Sequence, residues 1–341
     1  MMKLRLQGLI VASTFIIPAM VHAEPTVYGK VHLSVGQVEV EEAGTTTTDN
    51  IQLRSHASRF GIKGDHDLGS GLKATYKLEY EVNPDDENVE DPDFDSGSAG
   101  LKRRNQYLGL KGSFGELRFG RHDTPLKMAQ GKFDQFNDTD GDLKNASAED
   151  GEHRFDNVLA YLGQTGSVSY AVALIPGEGD GEQTPGGTGT GDGLADNISA
   201  SVSYKEGPIY VALAHDQYDD TDGQDSNTLT RLVGIYKFSG MQLGLFYQTG
   251  VESASPSDDE VDTLGVSFNA KTGGNGKAKL QYIMSEDSAD PANETTLMAV
   301  GYDHQVTKLV TGYVMYANVE EDDGTNTDES SFLGAGMVVK F

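Results

Sequence analysis

The 341-residue chain contains no cysteine and no tryptophan, and 53 aspartates and glutamates outnumber its 26 lysines and arginines. Each shortage excludes something. Without thiols there is no disulfide framework and no cysteine nucleophile. A formal charge of -27 argues against binding nucleic acid or an acidic membrane surface. Beyond the N-terminus, no apolar run approaches the roughly 20 residues that a transmembrane helix needs. That absence still leaves a membrane location open, because a transmembrane barrel shows only segments of about ten residues in which every second one is apolar.

The N-terminus reads as an address. Lys3 and Arg5 precede a short apolar run over residues 8–17, and Val21-His22-Ala23 supplies the small residues of a cleavage site. The expectation is an export signal over residues 1–23, cleaved after Ala23, and a single mature domain over residues 24–341.

Along the mature chain the dominant period is two. Leu72, Ala74, Tyr76, Leu78 and Tyr80 alternate with Lys73, Thr75, Lys77 and Glu79. Val168, Tyr170, Val172 and Leu174 alternate with small residues, and Ile198, Ala200, Val202 and Tyr204 alternate with serines. Residues two apart share a face of a strand, so each segment has one apolar and one small or polar face. No helix-period segment is available to cover the apolar faces. Turning them to lipid and the polar faces to a wet lumen accounts for both.

The connections alternate too. Short turns begin near Asp67, Lys111, Gly163, Lys205, Phe238, Lys271 and His304. Long acidic stretches span residues 83–100, 122–152, 176–196, 217–227, 250–259, 287–294 and 319–329, with a first one near 39–50. Eight long loops and seven short turns delimit sixteen strands, and a barrel of about 16 strands leaves an aqueous channel where eight would be filled by side chains. The expected fold is therefore all-β: a 16-stranded antiparallel transmembrane β-barrel with short periplasmic turns and long extracellular loops. In the last strand Leu333, Ala335, Met337, Val339 and Phe341 share one face. An apolar face ending in Phe341 suits the aromatic girdle at a membrane interface.

The stretches "TVYGKV" at Thr26, "SRFGIKGDHDLGSGLKATYKLEYE" at Ser58, "LGLKGSFGELRFGRHDTP" at Leu108, "HRFDNVLAYLG" at His153, "VGYDHQVTK" at Val300 and the terminal Phe341 together resemble the general porins of Gram-negative outer membranes. The resemblance covers the whole mature chain. It implies a homotrimer in the outer membrane and a third loop, here residues 122–152, folded into the lumen as the constriction. It also implies a basic wall of Lys30, Arg59, Arg104 and Arg154. Lys102 has the same parity as Arg104, and Arg121 ends the strand that leads into the loop, so both are counted with that wall. Asp134 and Asp138 in "KFDQFNDTDGD" are the foremost acidic candidates to face it, although this stretch departs from the family's usual acidic loop.

Seven of the eight arginines of the mature chain lie between Arg54 and Arg154. On strands, arginines facing lipid near the midplane cost about 2–4 kcal/mol, so a lumen orientation is favoured. For Arg54 and Arg103, contact with lipopolysaccharide phosphates at the outer rim or pairing with loop carboxylates is an equal alternative. The expected function is passive diffusion of ions and small hydrophilic solutes. A solute-specific channel and a plugged structural barrel are the alternatives. No cofactor, metal or catalytic residue is expected. The histidines lie outside any Gly-x-Ser-x-Gly motif, and "DTDGD" at Asp138 lacks the order of a calcium loop. Loose divalent bridging between acidic loops and lipopolysaccharide fits better. The acidic excess at the mouth favours cations and the arginine wall favours anions, with the net charge tipping the balance weakly to cations.

Overall fold

The computed structural model describes residues 24–85, 101–147, 151–176, 193–219, 226–253, 258–287 and 293–341. The expected signal, residues 1–23, and parts of the second, third, fourth, fifth, sixth and seventh expected loops lie outside these described residues.

The first strands are β1 (Thr26–Glu42), β2 (Thr45–Ser55), β3 (Arg59–Gly69), β4 (Leu72–Val82), β5 (Leu101–Gly112) and β6 (Gly115–Asp123). A loop carrying a short helix, α1 (Pro125–Ala129), and a 3-10 turn at Leu143–Asn145 leads to β7 (Arg154–Thr165), β8 (Val168–Ile175) and β9 (Asn197–Glu206). Next come β10 (Ile209–Asp219), β11 (Ser226–Phe238), β12 (Met241–Ser253) and β13 (Asp258–Lys271). The chain finishes with β14 (Gly276–Asp287), β15 (Asn293–Gln305), β16 (Val310–Asp323) and β17 (Thr327–Lys340).

These segments make sixteen staves, because β2 and β3 are two parts of one. Both pair with β1, β2 through Leu33↔Ser55 and β3 through Lys30↔Arg59. The stave breaks at residues 56–58, where Ala57 takes a left-handed backbone (φ 47°) and His56 donates its N–H to the His32 carbonyl at 3.0 Å. All pairings are antiparallel, and β1 pairs with β17 from Lys30↔Lys340 to Glu41↔Glu329, closing the sheet on itself. Phe341 and Gly29 exchange backbone hydrogen bonds at 3.1 and 3.0 Å below that seam. The terminal aromatic ring points outward, in line with Met337 and Leu333.

The first and last extracellular connections differ from expectation. Pairing of β1 with β2 runs out to Glu42↔Thr45 around Ala43-Gly44, and β16 and β17 are joined by residues 324–326. The alternation of Val38 and Val40 with glutamates simply continues, and Thr45 to Thr48 supply β-branched residues that favour extended chain. What reads as acidic loop composition is acidic strand.

The apolar core lies inside the barrel and the exterior is apolar too. Leu108, Leu264 and Leu333 on the outer face are about 60 % exposed. On the inner face of β7 to β17, Val158, Ala160, Ala173, Ala214, Val233, Ile283, Leu297 and Ala299 are buried under the loop between β6 and β7. That loop contributes Leu126, Phe133, Phe136 and Leu143, all buried. The wall makes room with small residues: a side chain at Gly265 would stand 2.8 Å from the Phe133 ring. Burial of four large apolar side chains is why this loop turns inward.

Candidate pore constriction

The inward loop starts with a helix cap. Thr124 accepts the Lys127 N–H at 3.1 Å and Pro125 opens α1, the order that a first helical turn prefers. The α1 helix packs against β8 to β11, with Leu126 N–H donating to Ser199 Oγ. The chain then crosses β12 to β15. Gln242 donates to the Lys132 carbonyl, Asn269 to Gln135, and Lys279 to the Gln135 carbonyl at 3.0 Å. On the return, Gln281 and Ser285 donate to the carbonyls of Gly141 and Ala146.

At the tip, residues 137–142 form a tight turn. Asp138 has a left-handed backbone (φ 63°), tolerable for a short polar residue, and Asp142 accepts its N–H at 2.6 Å. The turn delivers two carboxylates to the opposite wall. Asp138 meets Lys30 Nζ at 2.5 Å and Arg59 Nη2 at 3.1 Å. Asp140 pairs with Arg54. Burial opposes ionisation of Asp138, but Arg59 and Lys30 outweigh it and hold the carboxyl well below the usual range.

Asp134 does something else. Its oxygens accept the N–H groups of Phe136 at 2.7 Å and Leu143 at 3.1 Å, inside the loop and away from the arginines. Burial pushes its carboxyl up to about 6, and burial with Asp134 and Glu152 nearby raises Asp142 as well. The expectation that Asp134 faces the basic wall is thus corrected. The single residue between it and Phe136, Gln135, lets the carboxylate close an Asx turn on its own backbone.

The basic wall divides. Arg104 points inward from β5 and pairs with Glu79 at 3.2 Å and with Glu81. Lys102 lies opposite Glu81 in the register and so shares that inner face. Lys77 adds a third cation, 3.2 Å from Glu79, which also accepts the Tyr28 hydroxyl at 2.8 Å. Arg154 stands apart from the tip: it meets Asp123 at 2.5 Å and braces the root of the loop. Arg121 is a second correction. It is paired with Gln106 in the same unbroken register that pairs Phe119 with Leu108, and those two apolar residues face outward. Arg121 therefore sits on the barrel's outer face, where Asp156 accepts from it at 3.0 Å and from Arg103 at 3.2 Å. Strand parity alone carries that placement, since Arg121 is two and four residues from Phe119 and Leu117.

Several participants were not singled out in the sequence. Glu79 and Glu81 share the lumen face with Lys77, so the period already aimed them inward. Asp140 lies two residues from Asp138 with nothing local to mark it. Arg231, the one arginine outside the cluster, is buried among Val233, Ile235 and Leu229 on the inner face of β11.

A closed sixteen-stave barrel, apolar outside, with a loop narrowing a charged lumen, defines an outer-membrane channel. The chain belongs to the Gram-negative porin family, whose profile it matches over residues 8–324, and it is an outer-membrane protein. Outer membrane porin protein 32 of Delftia acidovorans is 28 % identical over 326 residues, covering 90 % of this chain and 87 % of the relative. The major outer membrane protein P.IB of Neisseria meningitidis serogroup B is 26 % identical, covering 98 % and 99 %. Among solved structures, the anion-selective porin from Comamonas acidovorans superposes with a TM-score of 0.75 at 22 % identity, covering 93 % of this chain and 99 % of that one. These relatives are porins, which are channels and not enzymes.

Proposed function

We propose that the chain is a general diffusion porin: a water-filled passage for ions and small hydrophilic solutes, bounded by the inner face of β1 to β6 on one side and by the inward loop on the other. The observation that carries this is the asymmetry of the loop's attachment. Its helix and apolar side chains pack on β8 to β15, while the opposite arc keeps the long charged side chains of Lys30, Arg59, Lys77 and Arg104. These charged groups are paired across the inner face, and they orient polar solutes by the field between them. On the described inner face of β1 to β6 the aromatic rings of Tyr28 and Tyr107 are each covered by a cation, Lys63 and Arg118, and do not form an open aromatic path, which favours non-specific passage. No catalytic role is part of this reading.

Selectivity follows from pairing. Lys30, Arg59 and Arg104 are each met by a carboxylate of Asp138, Glu79 or Glu81. The passage is close to balanced in charge, and the acidic mouth, including Glu41, Glu42, Asp322 and Asp323, tips it weakly towards cations. The same carboxylates are placed for divalent-bridged contact with lipopolysaccharide. The assembly is a homotrimer, as in the trimer form of OmpT of Vibrio cholerae, which shares the fold at a TM-score of 0.67.

Purified protein in a planar bilayer tests the reading. Stepwise conductance in triplets that scales with KCl supports it. Absence of conductance from correctly folded barrel means that the loop plugs the lumen, and a structural barrel replaces the channel.

A further inference from the structure

Arg231 projects from β11 into the space where the two stems of the inward loop come together, and its side chain is fully buried. Its guanidinium touches both stems at once. Nη1 donates to the Leu126 carbonyl in α1 and to Glu152 Oε1, both at 3.4 Å, and Nη2 donates to the Gly151 carbonyl at 3.2 Å. Nε donates to Gln248 Oε1 on the neighbouring strand at 2.7 Å, and the group stands 5.1 Å from the Phe246 ring centroid. The outgoing stem at Leu126 and the returning stem at Gly151-Glu152 are thereby fastened to the same point of the wall.

Only arginine has the geometry for this. A planar fork of five donors satisfies acceptors in several directions, whereas a lysine ammonium is a compact point charge. The returning stem is shaped to admit it: Gly151 has a left-handed backbone (φ 62°), and a Cβ there would collide with the guanidinium and crowd the Gln248 amide. The tip's clamps to Lys30, Arg54 and Arg59 lie on the other side of the barrel, so nothing at the tip duplicates this fastening.

We propose that Arg231 is a positioning residue of the channel: it holds both stems of the constriction loop against β11 and so keeps the loop in the place that leaves the passage open. The proposal rests on the reading of that loop as the constriction, and it adds the anchor that determines where the constriction stands. It acts through the loop and touches no solute.

The test uses the whole chain, which is free of native cysteine. Arg231→Gln removes the fork. Glu152 keeps Lys127 as an ionic partner at 3.2 Å, so no unpaired charge is left behind to prevent folding. Gly151→Ala disturbs the same junction with Arg231 intact. Each variant is checked for the heat-modifiable folded band, and then read in two ways. A spin label on Lys132→Cys, an exposed loop position, reports loop mobility. Single-channel recording reports closures. The expected result is a new mobile component in the spectrum and roughly tenfold more frequent closures, because a buried set of hydrogen bonds to a charged group has been removed. A disulfide between Ala146→Cys and Ser285→Cys, whose native hydrogen bond is 2.5 Å, is expected to reverse the rise in closures of Arg231→Gln. Unchanged label mobility and closure rate in Arg231→Gln, or in Gly151→Ala should the first not fold, would overturn the proposal. Failure of the unmodified protein to conduct would instead remove the channel reading, while label mobility still decides the anchoring.

Discussion

The two halves of the barrel wall follow the same alternation of residues and end with opposite inner surfaces. From β7 to β17 the inward positions are largely alanine, valine, glycine and small polar residues, and the loop lies on them. From β1 to β6 the inward positions include the charged side chains Lys30, Arg59, Lys77, Glu79, Glu81, Lys102 and Arg104, and the loop's tip reaches Lys30 and Arg59. The difference separates two tasks that the constriction needs. One half holds the loop by packing. The other leaves charged groups beside water, each with a partner that keeps it extended across the passage. A loop held equally by both halves would be a plug.

The holding half should be the more sensitive to truncation. Phe133→Ala empties the space between Gly244 and Gly265 and removes the contact with Phe246, whose ring lies 5.1 Å away. Buried Phe→Ala changes cost about 3–5 kcal/mol in soluble cores. The expected outcome is a marked fall in the temperature at which the folded band is lost, with noisier open channels. A variant as heat-resistant as the parent would show that packing does not hold the loop.

In the charged half the effect should be on selectivity. Asp138→Asn leaves Lys30 and Arg59 without their shared carboxylate, and the reversal potential in a KCl gradient should move towards anions, with the permeability ratio changing about two- to threefold. Asp134→Asn, four residues earlier, should leave selectivity as it was. Equal shifts for both would remove the distinction drawn between a carboxylate facing the passage and one folded into the loop.

Asp134 has a signature of its own. With its carboxyl raised to about 6, above the 3.8 of an ordinary aspartate, it is protonated in the folded loop at pH values where it is ionised in unfolded chain. It therefore contributes stability that is fully present below about pH 4 and is lost as the pH rises through about 6. Asp138 has the opposite sign. Its depressed value makes it stabilising above about pH 4, and that contribution is lost only in stronger acid. Heat resistance should thus be higher at pH 5 than at pH 7 by a few degrees, and the difference should shrink in Asp134→Asn. An unchanged pH 5 to pH 7 difference in that variant would mean another group is responsible.

The smallest effect is expected at Arg121. On the outer face it cannot act on solutes, so Arg121→Gln should leave conductance and reversal potential within experimental scatter, while Arg104→Gln changes both. A large effect of Arg121→Gln on selectivity would return it to the lumen.

These contrasts also mark what could be read from the chain itself. The barrel, its seven short turns and the outward ring of Phe341 follow from a period of two, which survives wherever one face meets lipid. The inward direction of Lys30 and Arg59 follows from the same parity, whereas Arg104 shares the parity of the outward Leu108 and is turned inward by the register shift between Leu78 and Tyr80. Arg121 obeys the parity, and grouping it with the lumen cations set proximity in sequence above parity. The carboxylates of the loop are a different matter. Four aspartates between residues 134 and 142 have no period to sort them. Asp134 and Asp142 tie the turn from within, while Asp138 and Asp140 face the wall, and that sorting depends on a left-handed residue at 138. Arg231 was hidden because its strand reads as apolar on both faces.

The account's central claim is that solutes pass along the charged half and not along the covered one. Single cysteines at Glu81 and Ala173, treated with a charged thiol reagent during bilayer recording, test it most directly. The account predicts a stepwise fall in conductance for Glu81→Cys and no reaction for Ala173→Cys, which lies under the loop. Block at Ala173→Cys with silence at Glu81→Cys would contradict it, and would place the passage on the other side of the loop.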